Sequence, residues 1–110
     1  MKGTSLKENK DFRRLYYRGK SKATPCLVTY AMRNNLGETR IGITSGKKIG
    51  NAVERNRARR IIRAAYAQYK PRVNGSWDIV FVARTKTPRV KSQEVAAEMA
   101  KQLKDLGIIK

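Results

Sequence analysis

Residues 47–63 read K-K-I-G-N-A-V-E-R-N-R-A-R-R-I-I-R, with seven basic side chains (Lys47, Lys48, Arg55, Arg57, Arg59, Arg60, Arg63) and one acid, Glu54. No Pro or Gly falls between Ala52 and Lys70, so nothing interrupts a helix over about 52–69. Stepping by about 100° per residue, Ala58, Ile61, Ile62, Ala65 and Tyr69 share one apolar arc. Arg55, Asn56, Arg59, Arg60 and Arg63 fall on the other side. Such a helix can dock its aliphatic arc on a core and hold a row of guanidinium groups outward. Guanidinium forks match phosphate oxygens, and a merely solvated face would mix signs along i,i+4 pairs, which this one barely does. A polyanionic partner therefore explains the row better than solvation alone.

The composition points the same way. A chain of 110 residues with a formal net charge of +18 makes one domain, 1–110, that repels itself unless a partner supplies counter-charge. The longest unbroken apolar run, Ile79–Ala83, is far too short for a membrane span or a signal segment, so a cytosolic protein is expected. The one cysteine, Cys26, fits a reducing compartment and reads as a small buried hydrophobe.

Taken in order, Ser5 and Glu8 have the spacing of a capping box. Phe12, Leu15 and Tyr16 then repeat at i, i+3, i+4, and Gly19 offers a stop, predicting a helix from about Lys7 to Arg18. From spacing alone the aromatic pair Phe12 and Tyr16 reads as a core stripe rather than an exposed one. Lys20–Thr24 reads as a polar link. Cys26–Arg33 alternates as a strand, with Cys26, Val28, Tyr30 and Met32 opposite Leu27, Thr29 and Ala31. Asn34–Gly37 suits a hairpin turn into a partner strand over Thr39–Thr44. Thr44–Gly50 invites a phosphate-loop reading that fails: Gly42 and Gly46 are one residue too close, and Lys48 stands where a metal-binding Ser or Thr belongs. The loop can still offer backbone N–H groups, Lys47 and Lys48 to a phosphate at the helix entrance. After a turn at 71–76, Trp77–Ala83 is apolar on both faces apart from Asp78, the mark of a mid-sheet strand. A basic loop over 85–91 leads to a final helix capped by Ser92, with Val95, Met99, Leu103 and Leu106 buried. The order is α-β-β-α-β-α.

Little here suits chemistry of the chain's own. There is no histidine, no carboxylate pair beyond Glu94 and Glu98 at a helix start, and no ligand cluster that sequence spacing reveals.

The run K-K-I-G-N-A-V-x-R-N-R-x-x-R-x-I-R resembles the signature of the bacterial ribonuclease P protein subunit, its RNR motif, and the likeness extends over essentially the whole chain. The resemblance implies an α/β (α+β) two-layer sandwich whose crossover through the basic helix is left-handed, against the usual rule. It implies binding to a large catalytic RNA that, with Mg²⁺ bound mainly by the RNA, removes the 5′ leader of precursor tRNA. Carried over residue by residue, Arg55, Asn56, Arg57, Arg59, Arg60 and Arg63 would contact the catalytic RNA, with Lys47, Lys48 and Asn51 at the entrance. Phe12, Tyr16 and Tyr30 match the aromatic positions of a cleft for the single-stranded leader, which turns the aromatic pair into half-exposed stacking rings. No membrane or small-molecule substrate is implied. A ribosomal protein or RNA chaperone of similar fold would share the charge without the cleft. A major-groove DNA reader lacks its helix-turn-helix spacing here.

Overall fold

The computed structural model describes residues 5–6 and 8–110. Three helices, α1 (Asn9–Arg18), α2 (Ala52–Tyr69) and α3 (Ser92–Asp105), pack on a sheet of β1 (Lys20–Thr24), β2 (Leu27–Arg33), β3 (Arg40–Thr44) and β4 (Trp77–Ala83). The sheet order is β1-β2-β4-β3. The expected α+β sandwich is present, with one strand more than the sequence suggested.

Two strand expectations are corrected. The segment Lys20–Thr24, expected as a link, pairs with β2 in antiparallel register, Lys20 opposite Ala31 and Thr24 opposite Leu27. Its polar side chains hide it from a hydrophobic-pattern reading, because an edge strand needs no buried face of its own. The hairpin expected between β2 and β3 does not form. β4 lies between them, antiparallel to β2 and parallel to β3. Its apolar residues on both faces make it the better centre, and Asn34–Gly37 spans across it instead. The parallel β3–α2–β4 connection is thus the crossover, with the basic helix as its bridge.

Alternation along β2 and β4 divides the interior. Leu27, Ala31, Ile79 and Phe81 face α2 and α3, where Ala58, Ile62, Val95, Met99 and Leu103 complete the main core. Each fully buried aliphatic or aromatic side chain contributes about 1.5–3 kcal/mol. Tyr66, which lies off the apolar arc legible in the sequence, is also buried there, its ring 5.6 Å from that of Phe81. Gln102 ties α3 to β2 from inside, donating to the Leu27 carbonyl (2.9 Å) and to Thr24 Oγ1 (2.9 Å). The other face of β2 and β4 carries Val80 and Val82 with Tyr30 and Met32, and α1 covers part of it through Leu15 and Phe12.

Helix ends differ by a residue or two from expectation. The capping box at Ser5 is absent: Ser5 makes a parallel bridge to Ile41, the Leu6 N–H donates to the Ile41 carbonyl (2.8 Å), and α1 starts after Glu8 without a side-chain cap. The expected start at Lys7 lies outside the described residues. Ser92 is the first residue of α3 rather than its cap, which is Lys91. The basic loop over 85–91 contains a 3₁₀ turn, Thr87–Arg89, with Thr87 and Pro88 buried.

Candidate nucleic-acid interface

The basic helix begins on a closed capping box. Asn51 Oδ1 accepts from the Glu54 N–H (2.9 Å) and Glu54 Oε1 accepts from the Asn51 N–H (3.1 Å), satisfying donors that the first turn would otherwise orphan. Asn51, expected at the RNA entrance, therefore has its side-chain oxygen engaged in holding α2. Glu54 Oε2 accepts from Arg89 (3.0 Å), so the one acid of the stretch is spent on the cap and on the Thr87–Arg89 turn. Arg57 is thereby left without the Glu54 pairing that its i,i+3 spacing would permit.

The arginines divide by environment. Arg55 donates to the Gly50 carbonyl (2.8 Å) and Arg59 to the Ile43 carbonyl (3.0 Å), each half-buried on the flank of α2. Asn56, Arg57, Arg60 and Arg63 are exposed, and none of these three arginines has an ion pair among the described residues. Lys47 and Lys48 stand exposed on a 3₁₀ turn, Lys47–Ile49, that buried Ile49 anchors in the core. Two guanidinium groups are thus oriented by backbone carbonyls, and the rest project freely, an array suited to several phosphates at once.

The aromatic residues gather on the opposite side of the sheet. Tyr16 meets Tyr30 edge to face, ring centres 4.9 Å apart at 73°, and Tyr16 remains 44% exposed. Phe12 is half-buried against Leu6, Leu15 and Val80. Beside it opens a shallow cleft of about 340 Å³ lined by Asn9, Phe12, Arg13, Tyr16 and Thr44. The Phe12 ring packs against β3 at Gly42 because no side chain stands there: a Cβ at Gly42 would fall 2.8 Å from the ring's Cε1 and Cζ. Gly42→Ala should displace that ring and cost about 1–3 kcal/mol, read as a lowered denaturant midpoint; an unchanged midpoint would show that the ring is not held there. A glycine within a strand is the sequence signal for such close approach, but the nearby Gly46 and Lys48 draw Gly42 into the phosphate-loop pattern that fails. Asn9, Arg13 and Thr44 carry no sequence signal of their own.

A charged network fixes α1 over the cleft. Asp78, 2% exposed, accepts from Arg40 Nε (2.9 Å) and Nη2 (2.8 Å) and from Asn34 (2.8 Å), with Arg14 at 3.5 Å. Arg14 also donates to Asp11 at 2.9 Å. Burial alone would push the Asp78 carboxyl up, but the hydrogen bonds from Arg40 and Asn34 and the charges of Arg40 and Arg14 hold it below its ordinary value.

The fold also joins groups that lie far apart in sequence: ligand atoms of Cys26, Glu94 and Glu98 lie within 4.8 Å of one another. Glu98 Oε1 already accepts from the Cys26 N–H (2.9 Å) and from the Thr24 hydroxyl. Burial, then the charge and hydrogen bond of Glu98 and the charge of Glu94, raise the Cys26 thiol to about 11. Fully buried, Cys26 packs in the main core as the small hydrophobe expected.

Residues 1–107 match the family model for ribonuclease P. The chain belongs to the ribonuclease P protein family. The ribonuclease P protein component of Alkaliphilus metalliredigens (strain QYMF) is 36% identical over 104 residues, covering 94% of each chain. That of Pelotomaculum thermopropionicum is 43% identical over 99 residues, 90% of this chain and 88% of the relative. The solved RNase P protein of Staphylococcus aureus superposes with a TM-score of 0.87 at 31% identity over 99% of this chain and 100% of that one. That of Thermotoga maritima gives 0.79 at 26%, covering 90% and 94%. As a ribonuclease P protein the chain has a subunit role in tRNA processing, as part of an endoribonuclease. Among the described residues of this family member, no helix is long and apolar enough to cross a membrane.

Proposed function

We propose that this subunit grips the catalytic RNA of ribonuclease P with α2 and the 5′ leader of precursor tRNA with the α1 cleft, in the cytoplasm, and leaves bond cleavage to Mg²⁺ ions held mainly by the RNA. The observation that carries this reading is that one domain presents two surfaces of different character. Arg57, Arg60 and Arg63 project without acidic partners from one helix, while Phe12, Tyr16 and Tyr30 form a half-open aromatic wall across the sheet. The first suits phosphates of a folded RNA, and the second suits unstacked bases. Lys47 and Lys48 extend the first surface, and Arg55 and Arg59 line it with guanidinium groups already oriented by the backbone.

The acids nearest the cleft support the division of labour. Asp11 and Asp78 are engaged by Arg14 and Arg40. Mg²⁺ prefers hard oxygen donors and retained waters, which the phosphates of two RNAs offer in quantity. When bound there, the metal would polarise the scissile phosphate and supply hydroxide. This chain's contribution is to screen repulsion between two polyanions and to recognise the one feature that distinguishes precursor from mature tRNA. Binding of precursor is thereby favoured and less Mg²⁺ is needed.

Phe12→Ala separates this from an RNA-binding module that has no leader cleft. In the assembled enzyme it should weaken precursor tRNA binding by about 1–3 kcal/mol, the worth of one stacked base, and leave mature tRNA and catalytic RNA binding nearly unchanged. Equal losses for all three ligands would favour the module.

A further inference from the structure

The cleft beside α1 does not end at Phe12. A second hollow of about 290 Å³ shares Phe12 with it and passes over β3, lined by Gly42, Ile43, Arg59 and Arg63 among others. That hollow in turn shares Ser5, Ile41 and Arg63 with a depression of about 540 Å³ between the second half of α2 and the turn at 37–39. The depression has an apolar floor of Ile41, Tyr66, Ala67 and Val73, with Arg63 and Lys70 on one rim and Glu38 across from them. Tyr66 is only 6% exposed and packs on Phe81, so the floor is rigid.

Three observations converge on an extended anionic strand. At 100° per residue, Arg59, Arg63 and Lys70 fall within about 40° of one line along α2, and they span roughly 16 Å of its length. Among the described residues, neither Arg63, Lys70 nor Glu38 has an ion pair. The volume lies within the range of pockets that hold a small ligand, enough for a nucleotide unit.

We propose that this depression is a further subsite for single-stranded RNA, occupied by the upstream part of the leader after it leaves the aromatic cleft; the inference rests on the leader reading of that cleft. Lys70 neutralises a leader phosphate on the rim, and Arg59 and Arg63 mark where the path meets the surface that α2 offers to the catalytic RNA. Ala67, exposed and small, leaves room for a base to lie on the floor. The Glu38 carboxylate across the rim accepts from an exocyclic base amine.

The test uses holoenzyme assembled with the catalytic RNA and precursor tRNAs whose leaders are about four or about ten nucleotides long, a range over which single-strand sites are filled. Wild type should gain affinity from the longer leader. Lys70→Ala, which removes the rim cation, and Ala67→Leu, which fills the hollow at an exposed helical position, should each erase most of that gain. The short-leader precursor should bind as to wild type. For the long leader alone, Lys70→Ala should also make the log–log salt slope shallower by about 0.7. No gain in wild type, or equal affinities of wild type and both variants for the long leader, would overturn the proposal. So would a loss of catalytic RNA affinity in the absence of precursor, which would place the RNA subunit in the depression. Phe12→Ala with the short leader tells the two readings apart: silence there sinks the cleft itself, whereas silence of the Lys70 and Ala67 variants sinks only its extension.

Discussion

Replacing Arg57, Arg60 and Arg63 together by alanine should weaken catalytic RNA binding by roughly three orders of magnitude, since hydrogen bonds to charged groups contribute at least about 1.5 kcal/mol each. All three side chains are exposed, and none holds another element of the fold in place. The triple variant should therefore unfold within about 1 kcal/mol of wild type, because surface changes away from caps and networks are small. The salt dependence carries the diagnosis. Each phosphate that the protein ceases to neutralise makes the log–log slope shallower by about 0.7–0.9, so Arg57→Ala alone should remove about one such step. Filter binding or calorimetry over a salt series reads both effects. An unchanged slope would mean that these arginines do not neutralise phosphate, whatever happens to affinity at one salt concentration.

The second large effect belongs to stability. Asp78→Ala should cost about 3–5 kcal/mol, because it removes the buried acceptor of both Arg40 hydrogen bonds and of Asn34 and leaves Arg40 only the longer contact with Asp11. That is a large part of the 5–15 kcal/mol typical of a domain. The same network sets an acid limb. The Asp78 carboxyl sits below its ordinary 3.8 when folded, so the unfolded chain binds the proton more tightly. The stabilisation is complete above about 3.8 and is lost as pH falls through the lower folded value. Urea unfolding of wild type should show this fall, and Asp78→Ala should flatten it. Equal stability of the two proteins at neutral pH would show that the network does not hold the fold. Because Arg14 and Asp11 lie on α1, the partly destabilised Asp78→Asn variant should also loosen the cleft wall.

How far the sequence anticipates this arrangement depends on the kind of residue. The basic helix is fully legible: its bounds, its apolar arc and its freedom from Gly and Pro are local properties, and α2 spans Ala52–Tyr69 as expected. Strand β4 is legible because both its faces are apolar. Strand β1 is not, since an exposed edge strand is specified by its neighbour's hydrogen bonds rather than by its own pattern. The β2–β3 hairpin fails for a related reason. Asn34–Gly37 has turn chemistry, but which strand fills the slot beside β2 is a long-range contest that β4 wins. The aromatic site is legible in part. Spacing places Phe12 and Tyr16 one turn apart, and the family resemblance adds Tyr30, but only the folded chain shows Gly42 beneath the Phe12 ring. Asp78 reads as an anomaly in an apolar strand. Its partners Arg14, Asn34 and Arg40 come from three other segments, which no local pattern could assemble.

That this chain binds and positions while RNA-held metal does the cutting is tested most directly by one processing assay. Nucleic-acid-free protein, catalytic RNA alone and the two combined are each given precursor tRNA across a Mg²⁺ series, and the 5′ cut is followed. Cleavage is predicted with the RNA, at lower Mg²⁺ when the protein is added, and never with protein alone. A correct 5′ cut by the protein without its RNA would contradict it.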